Sequence, residues 1–118
     1  MGLKPTSILL TVLLTALAGG CAHPSADGQT QSRAEMAQGQ STYQALCAPC
    51  HDADDLHLLT VPPKLDGLFS KPKLPGGEPT TDQNVRDVIL HGKGIMPPFE
   101  HSLTKEQVDA LIQYLHTK

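Results

Sequence analysis

A chain of 118 residues with a formal charge of −3 is sized for one domain, and without a basic run it has no footprint for nucleic acid. Aromatic residues make up 3 % and Trp is absent, so such a domain buries little apolar surface. That shortage points to a disulfide, a metal or a cofactor as a missing part of the core.

Residues 1–20 read as an export signal. Lys4 precedes an uncharged apolar run from Ile8 to Ala18, shorter than the about 20 residues that span a bilayer. Two cleavage points compete. "ALA" at 16–18 suits a soluble product cut after Ala18, whereas "AGGC" at 18–21 resembles a lipobox that would make Cys21 the lipidated first residue. Ala18 stands where such a box usually carries Leu. Lipidation is favoured because Cys21 would otherwise be an odd thiol in an oxidising compartment. The expected location is the periplasmic side of a bacterial membrane, held by a lipid anchor, with a soluble periplasmic protein as the alternative. Residues 21–35 are polar and small, and read as a flexible tether spanning on the order of 20 Å.

The folded domain is expected over 36–118. A first helix is predicted from about Ala34, with "SRAE" at 32–35 as a capping box and Met36, Tyr43 and Leu46 as spaced apolar positions. It runs into "CAPCH" at 47–51. Three chemistries use such a cluster. A redox dithiol normally sits beside a βαβ pattern, and no strand pattern is present here. A zinc site could draw on Cys47, Cys50, His51 and His57, but adjacent Cys50 and His51 reach one ion awkwardly. Covalent haem attachment uses every feature. Positions i and i+3 of a helix share a face, so both thiols can join one porphyrin, and the next residue offers its imidazole to the iron.

From His57 to Thr80, prolines at 62, 63, 72, 75 and 79 and glycines at 67, 76 and 77 oppose regular structure. Loops this long need something to pack against, which a planar cofactor supplies. A second helix is predicted over Asp82–His91, with Val85, Val88 and Ile89 on one face and Gly92 as a stop. A third follows Thr104. Gln107 completes a capping box there, and Val108, Leu111, Ile112 and Leu115 recur at helical spacing. Between them, "GIMPPF" at 94–99 places Met96 in a loop stiffened by Pro97 and Pro98. Candidates for a second axial ligand are Met36, Met96, His57, His91, His101 and His116. Met96 is preferred for its stiff loop, and His91 is its rival.

Several spaced segments together resemble the class I c-type cytochromes, small monohaem electron carriers. They are "GQSTYQALCAPCH" at 39–51, "PKLDGLF" at 63–69, "GIMPPF" at 94–99 and "LIQYL" at 111–115. The resemblance covers about 36–118 and implies an all-α cytochrome c fold, three or more helices with long loops around one haem c. It implies attachment through Cys47 and Cys50, with His51 and Met96 as iron ligands. Pro63, Leu65, Phe69, Ile95 and Phe99 would line the haem, Pro63 accepting a hydrogen bond from His51 through its carbonyl. Gly39 would let the first and last helices approach, with Tyr43 and Tyr114 around the crossing. Unlike the mitochondrial relatives, this chain has no Trp for a haem propionate, which leaves Lys64, Lys71, Lys73 and Lys93 or loop amides as candidates.

The function so implied is single-electron transfer between a redox donor and an acceptor, by a monomer without enzymatic activity of its own. The lysines between 64 and 73 are candidates for a docking face. Two rivals follow from the same site: a peroxidase or gas sensor with a labile sixth ligand, and an electron-exit subunit of a periplasmic dehydrogenase.

Overall fold

The computed structural model describes residues 26–54 and 56–118. Residues 1–25, with the signal, Cys21 and the start of the tether, lie outside the described residues.

The first helix, α1, spans Ala26–Thr42. It begins eight residues before Ala34, so 26–35 is helical where the sequence reading expects a tether, and Ser32 lies inside the helix rather than capping it. Residues 27–34 are exposed and show no apolar face. Once a helix is nucleated, elongation needs only one fixed residue per new hydrogen bond, and this stretch extends a half that is already packed. At its C-terminal end α1 continues through a widened π-type turn, Tyr43–Cys47, into the short α2, Ala48–His51.

The α3 helix, Asp82–His91, is capped by Thr81, whose hydroxyl accepts from Asn84 N at 3.2 Å. It stops at Gly92, where φ is 73°. The α4 helix, Lys105–Leu115, carries the full capping box: Gln107 N donates to Thr104 Oγ1 at 3.3 Å and Thr104 N to Gln107 Oε1 at 2.9 Å. Among the described residues no β-strand forms, only isolated bridges between Lys73 and Pro79 and between Lys93 and Met96. The fold is all-α, as expected.

The core sits where α1 crosses α4, with α3 alongside. Tyr43, Val108 and Leu111 are each 1 % exposed, and Val85, Ile89, Ile112 and Leu115 close the cluster. Gly39 makes the crossing possible. A Cβ there would run into the Ala110 carbonyl oxygen and stand 2.9 Å from Tyr114 Cβ, closer than real side chains come. Tyr43 and Tyr114 pack beside it, ring centroids 5.3 Å apart and tilted by 54°.

Candidate functional site

The site grows out of the end of that packed helix. Cys47 is buried in the core cluster, Cys50 is exposed, and the two are not joined in a disulfide. Burial pushes the Cys47 thiol up to about 11, and nearby Asp52 and Cys50 add to the rise. A redox dithiol needs the opposite, a thiol whose pKa is lowered so that it can attack. A zinc centre finds no support either: among the described residues no three His, Cys, Asp or Glu side chains gather to hold a metal ion.

His51 is 8 % exposed at the end of α2. Its Nδ1 lies 2.6 Å from the Pro63 carbonyl oxygen. A carbonyl only accepts, so Nδ1 carries the proton and donates. That fixes the tautomer and leaves the lone pair on Nε2, the nitrogen that could serve as a ligand. The hydrogen bond expected from the resemblance is therefore present.

Asp52, next in sequence, is fastened from several sides. Tyr43 donates its hydroxyl to Asp52 Oδ1 at 2.5 Å, and Lys118 Nζ lies 3.5 Å from the same oxygen. The Tyr43 hydrogen bond, first among the causes, holds the Asp52 carboxyl below its ordinary range. Lys118 also sits over the Tyr43 ring at 4.2 Å and pairs with Asp66 at 3.2 Å. Its carbonyl accepts from Gly67 N at 2.8 Å, which binds the last residue to the loop that follows Pro63.

Met96 sits in a closed turn. Lys93 N donates to Met96 O at 3.1 Å and Met96 N to Lys93 O at 3.0 Å. Gly92 and Gly94 take left-handed φ values of 73° and 60° around it. A side chain at Gly92 would stand 2.9 Å from Pro98 N, so the turn has no room for one there. Phe99 N donates to Ile89 O and Leu90 O, both at 3.1 Å, tying the loop to the end of α3.

Leu65, Phe69, Met96 and Phe99 are partly buried and pack against the cluster that holds Cys47. Ile95 is instead 58 % exposed, and the Pro63 side chain is exposed as well. Phe69 stacks on the His116 imidazole with centroids 3.6 Å apart, and His116 Nε2 lies 2.8 Å from Asp82 Oδ1. His91 is exposed and its Nδ1 donates to Asp87 O at 3.0 Å, within its own helix. His57 and His101 are exposed.

The sequence, over residues 34–115, matches the family model described as "Cytochrome C oxidase, cbb3-type, subunit III". The chain belongs to this family of c-type cytochromes. No curated protein matches it.

A c-type cytochrome carries covalently bound haem c and transfers electrons through it. The residues present fit that group. Two unpaired thiols at the right spacing flank an imidazole of fixed tautomer. The large exposed apolar side chains also come from the same segments: Leu46 beside Cys47, Leu58, Leu59 and Val61 between His51 and Pro63, and Ile95 beside Met96. A flat apolar macrocycle is the kind of partner such side chains suit.

Of the lysines considered for propionates, Lys64 pairs with Asp54 at 2.6 Å, Lys93 with Glu78 at 2.7 Å, and Lys71 donates to Lys64 O at 3.3 Å. The links from Lys64 and Lys118 to Asp52 escaped the sequence reading. They join residues far apart in the chain and leave no periodic trace.

Proposed function

We propose that this cytochrome is a single-electron carrier whose haem is joined to Cys47 and Cys50 and ligated by His51 and Met96. The observation that carries the reading is the His51 Nδ1–H donated to Pro63 O beside two unpaired thiols. Bound here, the haem supplies reversible one-electron oxidation.

The chain's own residues do the rest. His51 presents Nε2, and its donated Nδ1 proton raises the basicity of that nitrogen. The closed turn at Lys93–Met96 holds a thioether, a soft and weak ligand, where a looser loop would release it. Were His51 and Met96 both to ligate the iron, small ligands such as oxygen or peroxide would be excluded from it. Tyr43, Leu68 and the α4 side chains keep water out of the core behind Cys47.

Redox proteins supply and remove the electron. We place the domain on the periplasmic side of a bacterial membrane, exported by residues 1–20 and anchored by a lipid at Cys21. The family is described as an oxidase subunit. That description favours a second reading, a fixed place in a larger redox complex, and co-purification with a membrane partner separates it from a diffusing carrier.

The deciding experiment is the oxidised and reduced spectrum of the matured protein with a pyridine assay for thioether linkage, run on wild type and Met96→Ala. Wild type is expected to show haem c and to exclude CO. Met96→Ala should keep the haem and bind CO. Bare polypeptide would overturn the haem assignment, and CO exclusion by Met96→Ala would assign the sixth position to another residue.

A further inference from the structure

The loop that leaves α2 after His51 returns at Pro63. Leu58, Leu59 and Val61 are 44 %, 110 % and 67 % exposed. Among its described residues, the backbone bond within the loop is Leu58 N to Leu56 O at 2.8 Å. The polar contacts that the chain itself makes to this loop lie at its neck.

Besides Lys118, which joins Asp52 to Asp66 and Gly67, two sets of contacts close that neck. One is the His51–Pro63 hydrogen bond. The other is Lys64, whose ammonium donates to Asp52 O at 2.9 Å, to Ala53 O at 3.0 Å and to Asp54 Oδ1 at 2.6 Å. An ammonium has three donors, and all three are used on consecutive residues directly after His51. The Lys64–Asp54 pair alone would contribute little, because both side chains are well exposed. The two carbonyls differ. They follow the end of α2, where unpaired carbonyl groups carry partial negative charge and favour a cation. Lys71 in turn donates to the Lys64 carbonyl, so the lysine is held on its backbone as well as at its tip.

We infer that Lys64 is a positioning residue: it staples the neck of the 52–63 loop and so holds the Pro63 carbonyl on His51 Nδ1. The inference rests on the reading that His51 ligates the iron. Without the staple the carbonyl drifts, the imidazole donates a weaker hydrogen bond, and Nε2 becomes less basic. A less basic ligand stabilises the ferric state less, so the reduction potential moves upward.

The test uses the matured holoprotein and the variant Lys64→Met, which keeps the apolar stem and removes the donors. Two quantities are read: the reduction potential, and the exchange rate of the His51 Nδ1 proton by NMR. The expected result is a potential shifted to more positive values and exchange faster by about fivefold, the worth of one ordinary hydrogen bond. Lys64→Arg, which keeps a cation in reach of the carbonyls, should recover most of both. Asp54→Asn, which leaves the carbonyl contacts in place, should change neither. Lys105→Met, which removes a distant ion pair, serves as the control for general destabilisation and should also change neither.

If Lys64→Met does not take up haem, Lys64→Gln, with one neutral amide donor, is read in its place with the same expectations. Unchanged potential and exchange in haem-loaded Lys64→Met, or in Lys64→Gln read in its place, would overturn the inference. Wild-type His51 ring protons without a hyperfine shift in the ferric state would instead overturn the ligand reading, a result that does not depend on Lys64.

Discussion

The two halves of this molecule are built differently. Where α1 crosses α4 the chain fits itself: Gly39 lies on the Ala110 backbone, Tyr43 tilts against Tyr114, and Val108 and Leu111 are sealed from water. On the other side, the segments after His51 and around Met96 turn Leu59, Val61 and Ile95 outward and are held mainly by hydrogen bonds. One half supplies its own packing. In the proposed reading the other depends on a haem joined to the two cysteines, which would let a domain so poor in aromatic residues support long loops.

Removing that attachment is the largest blow to the comparison. Replacing Cys47 and Cys50 together with Ala should abolish the added haem mass and remove most of the folding margin, of the order of 5 kcal/mol. Hydrogen exchange should accelerate first in 52–63 and 92–99 and last in α1 and α4. Equal acceleration in both halves would erase the distinction.

Gly39→Ala attacks the self-packed half. Overpacking costs about 1–3 kcal/mol, and the clash here is with backbone that cannot swing aside, so the upper end applies. The helix-propensity gain of Ala over Gly offsets about 1 kcal/mol. A net loss of about 2 kcal/mol should lower Tm by roughly 10 °C in a thermal melt, since each kcal/mol shifts a domain of this size by about 4–8 °C.

Tyr43→Phe tests the seam between the halves, where the hydroxyl meets Asp52. Loss of a hydrogen bond to a charged acceptor should destabilise by about 1.5 kcal/mol near neutral pH. The pH dependence has a definite sign. Burial, with the Asp52 hydrogen bond, pushes the Tyr43 phenol up from 10.0 to about 12. The unfolded chain therefore loses that proton first. The stabilisation is complete below pH 10 and fades as the pH rises through about 12. Lys118, raised chiefly by Tyr43, titrates in the same direction. Denaturant titrations of wild type and variant should converge above pH 10; a constant gap would remove Tyr43 from this role.

The smallest effect is expected at Lys105→Ala, on the solvent side of α4. Its i,i+4 pair with Asp109 is worth about 0.3–0.5 kcal/mol, and Arg86 remains to hold the carboxylate. Lys105 first, then Arg86, keeps the Asp109 carboxyl below its usual range. What the pair contributes is present above the ordinary carboxylate pKa and is lost on acidification. Urea midpoints at neutral and acid pH should differ from wild type slightly in the first case and less in the second.

Much of this plan is legible in the sequence, for identifiable reasons. Caps and 3.6-residue spacing write α3 and α4 directly into the chain, and Thr104 with Gln107 marks a boundary that the structure reproduces. "CAPCH" is legible because Cys47, Cys50 and His51 stand together where the π-type turn passes into α2. The N-terminal half of α1 was hidden because apolar periodicity was the signal sought, and 27–34 has none. The partners of the lysines leave no local signal in the chain. Lys64, Lys71 and Lys93 look like free surface charge, yet each is spent on a carbonyl or carboxylate that only the folded loops bring near.

The unbroken backbone of α1 has a mechanical meaning. Its eight exposed residues, 27–34, project about 12 Å beyond the packed part at 1.5 Å per residue. A boom of that kind carries torque, so a dye at Gly28 should tumble with the whole domain and sweep no cone of its own. Whatever grips the boom would thereby aim the face around His51 and Met96.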